Sequence, residues 1–153
     1  MRSRNAAAAA DLSRKFGCDP ESVPALLDLA RRLGVKVVGL SFHVGSQTPT
    51  SDMHVRAIEE CGRLISAARE DGHNLSVLDI GGGFPITYRT AQIPIAEFCA
   101  PIRAALGLLP SGLRLMAEPG RFIVGPSGVA LSTVVGRALR EGRWWFYLDD
   151  GIY

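Results

Sequence analysis

Most of the side chains in this sequence that could do chemistry fall in three stretches: "LSFHVGSQ" (40–47), "LDIGGGFP" (78–85) and "MAEPGRFIVG" (116–125). Each opens as an apolar run and ends in polar groups that are costly to bury without partners. Gly81, Gly82 and Gly83 lack Cβ atoms, so their backbone N–H groups can crowd around an anion with no side chain in the way. A tight turn alone needs one glycine or two. The run fits neither the spaced glycines of a dinucleotide site nor a phosphate loop ending in Gly-Lys-Ser/Thr. Glu118 and Arg121 stand three positions apart around Pro119-Gly120. On an open surface such a pair contributes little, but the flanks "LRLMA" and "FIVG" predict partial burial. Arg121 then suits a phosphate, because its fork gives paired charge-assisted hydrogen bonds. Glu118 calls for a cationic or N–H partner. His43 offers a flat imidazole and Ser46 a hydroxyl. A lone histidine at a strand end is more often structural than catalytic, yet here two neighbouring strands bring anion-binding groups to the same rim. His54, in a helix, and His73, beside Gly72 and Asn74, have no such company and are expected to be solvated.

The elements that must carry these groups alternate. Residues 22–33 place Val23, Leu26, Leu27, Ala30 and Leu33 on one helical face, with Ser22 as N-cap and Gly34 closing the end. "VKVVGLSF" (35–42) is the continuous apolar run of a strand covered on both faces. Residues 52–70 predict a helix with Ile58, Cys61, Ile65 and Ala68 inward. A strand at 75–80 follows, then a helix at 94–108 bent or restarted at Pro101, then a strand at 113–118. His43, Gly81 and Glu118 recur at intervals of 38 and 37 residues, one strand-plus-helix unit each. That is the rhythm of a parallel α/β sheet or barrel, in which binding groups gather at the C-terminal strand ends. Beyond Arg121 the helical period stops, and "FIVGPSGVALSTVVGRAL" and "RWWFYLDD" read as strands of a mostly β module. A phosphate cradle, a carboxylate and a flat ring on one rim suit a phosphorylated heteroaromatic with a basic ring nitrogen. Pyridoxal 5'-phosphate is such a molecule; a carboxylate keeps its pyridine nitrogen protonated and able to accept electrons.

Bulk properties exclude several classes. The 153 residues suit one domain of ordinary size, and 47% hydrophobic with 21% charged residues is a globular composition. A net charge of +2 gives no argument for nucleic acid or a membrane surface as partner. Cys18, Cys61 and Cys99 show no CxxC spacing, which speaks against a disulfide framework or a metal site and for a cytoplasmic setting. The five alanines at 6–10 are too short a run for a leader, since charge resumes at Asp11.

With these residues in view, the chain resembles the fold-type III pyridoxal-phosphate-dependent decarboxylases, in particular the ornithine decarboxylase branch. "KFG" (15–17), "GLSFHVGSQ" (39–47), "LDIGGGFP" (78–85), "EPGRF" (118–122) and "DDGIY" (149–153) match that branch in order and spacing, over roughly residues 11–153. The resemblance implies an α/β fold: a partial (β/α)8 TIM-type barrel of the alanine-racemase kind over residues 1–122, then the beginning of a C-terminal β-domain at 123–153. It implies pyridoxal 5'-phosphate as cofactor. His43 would stack on its ring and Glu118 pair with the ring nitrogen, both in catalytic roles. Ser46, Gly81, Gly82, Gly83 and Arg121 would hold the phosphate. A glutamate at 118, where alanine racemases place an arginine, implies a strong electron sink suited to decarboxylation. The substrate implied is a basic amino acid, foremost ornithine, giving putrescine for polyamine biosynthesis. A diaminopimelate or lysine decarboxylase of the same family, or a non-catalytic decoy homologue, are the alternatives. Relatives hold the cofactor through a lysine well before "KFG", and neither Lys15 nor Lys36 corresponds to it. The chain is therefore expected to be a central piece of a homodimeric enzyme, without activity by itself.

Overall fold

A computed structural model describes residue 1, residues 15–88 and residues 91–151. The alanine run and the last two residues of "DDGIY" lie outside them. Helix α1 (Val23–Arg32) follows a 3-10 turn at Pro20–Ser22. The Ser22 side chain makes no capping bond, so the fixed φ of Pro24 in the first turn starts the helix. Gly34, at φ +69, ends it as expected, the Val35 N–H reaching back to the Ala30 carbonyl at 2.8 Å.

Strands β1 (Gly39–Ser41), β2 (Val77–Asp79) and β3 (Arg114–Met116) form one parallel sheet in that order. Gly39 pairs with Val77, and Val77 with Arg114. Helices α2 (Asp52–Glu70) and α3 (Ile95–Gly107) are the crossovers that parallel pairing requires. Their inward residues Ile58, Cys61, Ile65 and Phe98 pack with Leu75, Leu78 and Val44 into one fully buried core. Burying each large aliphatic or aromatic side chain there contributes about 1.5–3 kcal/mol.

Three expectations need correcting. Pro101, expected to bend or restart α3, does not restart it, since the helix runs through it; both Pro101 and Glu97, whose carbonyl loses its usual partner, are exposed to water. The run at 35–42 is not covered on both faces: only Gly39–Ser41 is strand, Val35 and Val38 are exposed and Leu40 is half-buried, and at the opposite edge of the sheet β3 likewise exposes Arg114, Leu115 and Met116. The stretch "FIVG" is not extended either. Helix α4 (Gly120–Val124) and a 3-10 turn at Gly125–Ser127 occupy it, since a short apolar run without periodicity suits either state and Pro119 presets the backbone leading in.

The β character begins instead at β4 (Val134–Arg140), which pairs antiparallel with β5 (Arg143–Leu148). Glu141 and Gly142 join them with φ of 51° and 74°, the positive pair that a two-residue hairpin turn needs. Trp144, Trp145, Phe146, Tyr147 and Leu148 are all exposed. Among the described residues no helix is long and apolar enough to cross a membrane.

Candidate functional site

The hydrogen-bond ladder runs past the assigned strands and ends at the three stretches. The Phe42 N–H donates to the Asp79 carbonyl (3.2 Å), Ile80 to Met116 (2.9 Å) and Glu118 to Gly81 (2.8 Å). The exits of β1, β2 and β3 are thus stitched side by side before they part. The first two loops are also joined beyond the ladder. Gln47 receives the Ile86 N–H at Oε1 (3.1 Å) and returns its own amide N–H to the Ile86 carbonyl (2.5 Å). The Thr48 N–H donates to the Gly83 carbonyl (2.9 Å), and the Thr48 hydroxyl to the Gly45 carbonyl (3.0 Å).

These loops enclose a cavity of about 180 Å³ whose walls include His43, Ser46, Gly82, Gly83, Glu118 and Arg121. Six of the seven residues singled out in the sequence therefore share one space. Gly81 lies beneath it: its N–H is held by the Asp79 carboxylate (2.9 Å) and its carbonyl by Glu118. His43 accepts the Gly45 N–H at Nδ1 (3.0 Å), which leaves Nε2 to carry the proton of the neutral ring. A Cβ placed on Gly82 would stand 3.1 Å from that Nε2, so the imidazole lies directly against the glycine run. The expectation of partial burial holds for Arg121, which is half-buried, but not for Glu118, which is exposed. The reason is again the sheet edge: no described element rises beyond β3 to cover that carboxylate. The chain's two lysines, Lys15 and Lys36, take no part in the cavity wall.

Neither remaining histidine is solvated as expected. His73 is half-buried, 3.5 Å from Asp28. His54 is completely buried on the inner face of α2, with Phe42, Phe84 and Phe98 around its ring. Its Nε2 lies 3.0 Å from the Gly82 carbonyl, while Nδ1 is buried with no partner among the described residues. A signal was available in the sequence, since His54 sits one turn before Ile58 on the inward stripe. Burial holds this imidazole at a pKa of about 4 against the ordinary 6.5; the Gly82 hydrogen bond opposes the shift and His43 adds to it. An unfolded chain binds this proton below pH 6.5 and the folded one only near pH 4. Stability is therefore complete above pH 6.5 and falls by on the order of 3 kcal/mol on the way down to pH 4. Urea unfolding at pH 7 and 4.5 should show that loss, and His54→Phe should reduce it.

The arrangement defines a class: a parallel α/β layer whose strand ends present hydroxyl, N–H and guanidinium donors, an imidazole and a carboxylate around one small cavity. The family model of the pyridoxal-dependent decarboxylases, pyridoxal binding domain, matches residues 2–125, and the chain belongs to that family. It is 34% identical to the lysine/ornithine decarboxylase of Selenomonas ruminantium, over 98% of this chain and 38% of that protein. Antizyme inhibitor 2 of Mus musculus is 35% identical over 93% of this chain and 34% of its own. Among solved structures, the lysine/ornithine decarboxylase of Vibrio vulnificus complexed with putrescine aligns with a TM-score of 0.75 at 48% identity, covering 92% of this chain and 39% of that one. A mutant SrLDC in complex with PLP aligns with a TM-score of 0.77 at 33% identity, covering 99% and 40%. The chain thus spans about two-fifths or less of each relative's length.

Proposed function

We propose that this chain forms the cofactor-holding part of a pyridoxal-phosphate-dependent decarboxylase of basic amino acids, with ornithine, giving putrescine, as first substrate and lysine as second. The carrying observation is the meeting of His43, Ser46, Gly82, Gly83, Glu118 and Arg121 around one cavity. The donor set fits the cofactor in two halves. The Ser46 hydroxyl, the Gly83 N–H and the Arg121 guanidinium suit the phosphate, with Gly81 as a backbone support below. The Glu118 carboxylate suits the ring nitrogen, and the His43 imidazole suits the ring face. When bound, the cofactor supplies a protonated pyridine ring that accepts the electron pair left as carbon dioxide departs. Names of the relatives support the substrate class, since they decarboxylate lysine or ornithine or bind putrescine.

The three-stranded layer is read as part of a (β/α)8 barrel over residues 1–122. The β4–β5 hairpin is read as the start of a β-domain, with α4 straddling the boundary expected at 123. The whole protein is read as a homodimer. A second reading, a binding homologue without turnover, draws support from the match to antizyme inhibitor 2. Pyridoxal 5'-phosphate titration, followed by absorbance, tests the cofactor reading. Arg121→Ala should weaken binding by on the order of 100-fold, the loss of paired charge-assisted bonds. Release of labelled carbon dioxide from ornithine or lysine separates enzyme from non-catalytic homologue.

A further inference from the structure

We propose that His54 is a positioning residue for the anion cradle: donating to the Gly82 carbonyl from inside the core, it turns the Gly82–Gly83 peptide so that the Gly83 N–H faces the cavity. In a planar trans peptide the carbonyl and the N–H point to opposite sides, and the described backbone holds no cis bond. The Gly82 carbonyl is directed at His54 Nε2, 3.0 Å away in the core. The following N–H is therefore directed away from the core. Gly83 belongs to the cavity wall, and its N–H has no partner among the described residues. A peptide between two glycines can reverse with little steric resistance, so something must hold its orientation. The Thr48 N–H fixes the next carbonyl, that of Gly83, but leaves this peptide to His54.

The ring itself is held on all sides. Its centroid stands 5.1 Å from that of Phe84, 5.7 Å from that of Phe98 and 6.4 Å from that of Phe42. Nδ1 is buried with no partner among the described residues, so the single proton of the neutral ring belongs on Nε2, where it can be donated. For packing alone this site is better served by phenylalanine, which has no polar atom to strand. What histidine adds is one N–H donor at a fixed point behind the glycine run.

The proposal rests on reading the cavity as the pyridoxal-phosphate site, and the experiment separates the two. Binding of pyridoxal 5'-phosphate and of inorganic phosphate is measured for wild type, His54→Phe and His54→Gln in the whole protein, with thermal melting of each. Gln can place an amide N–H near the position of Nε2; Phe keeps the volume and removes the donor. The expected result is about tenfold weaker binding of both probes by His54→Phe at unchanged or raised melting temperature. His54→Gln should retain binding within about threefold despite lower stability. A purely structural histidine predicts the reverse order. Equal binding by His54→Phe and wild type, or equal loss in both variants, overturns the role of His54. Binding of neither probe by wild type overturns the cofactor reading instead. Should His54→Phe not fold, the wild-type ring decides through its nitrogen-15 shifts: a proton on Nε2 upholds the clamp and a proton on Nδ1 refutes it.

Discussion

Replacing Gly81 with alanine is expected to destabilise the fold by about 4 kcal/mol or more, and to remove phosphate binding with it. Gly81 adopts φ +64, a left-handed conformation that alone costs an alanine roughly 1 kcal/mol. The larger cost is contact. An added Cβ would lie 2.0 Å from the Phe42 carbonyl oxygen and 3.2 Å from the His43 Cα, both backbone atoms that no rotamer change can move. Nor can Gly81 retreat, because its N–H is held by Asp79 and its carbonyl by Glu118. It is the point where the exits of all three parallel strands touch. Urea unfolding monitored by far-ultraviolet circular dichroism measures the effect; a cost below about 1 kcal/mol would show that β1 and β2 do not converge so closely.

Glu118→Gln is expected to lower decarboxylation by the whole protein on the order of 100-fold while changing pyridoxal-phosphate affinity less than threefold. Glutamine keeps the size of the side chain and its anchorage, since the main-chain N–H of residue 118 still donates to Gly81. It removes only the negative charge, which in the proposed function would favour a proton on the cofactor's ring nitrogen. The contrast with Arg121→Ala is the useful part. Arginine loss should register in binding and glutamate loss in turnover, because in the proposed function Arg121 would meet the phosphate and Glu118 the electron-accepting ring. Turnover by Glu118→Gln equal to wild type would take the carboxylate out of the chemistry altogether.

Much of this was legible because it is written in local patterns. Apolar stripes at helical spacing gave α1 and α2, and apolar runs of β-branched residues gave β1 and β2. The even interval between His43, Gly81 and Glu118 placed them at equivalent strand ends. What escaped was decided by tertiary geometry. Nothing in "RLMAE" announces that β3 is an edge, so the exposure of Glu118 could not be read from its apolar flanks. Gly81 reads like its two neighbours, yet it supports the strands while Gly82 and Gly83 reach the cavity. His54 was passed over because histidine counts as polar in a periodicity argument. Its place one turn before Ile58 was the available signal, and its neighbours in space, three phenylalanines and a glycine carbonyl, show it to be a core residue. "FIVG" is the plainest ambiguity: four apolar residues without a period, which Pro119 and Gly120 turned into a helical turn.

The hairpin has a practical consequence for anyone watching this chain fold. Both of its tryptophans, Trp144 and Trp145, sit in β5 at 57% and 54% exposure. Intrinsic emission will therefore start red-shifted and will report on whatever comes to lie over that ribbon. Melting of the parallel layer that builds the cavity will be nearly silent in that signal.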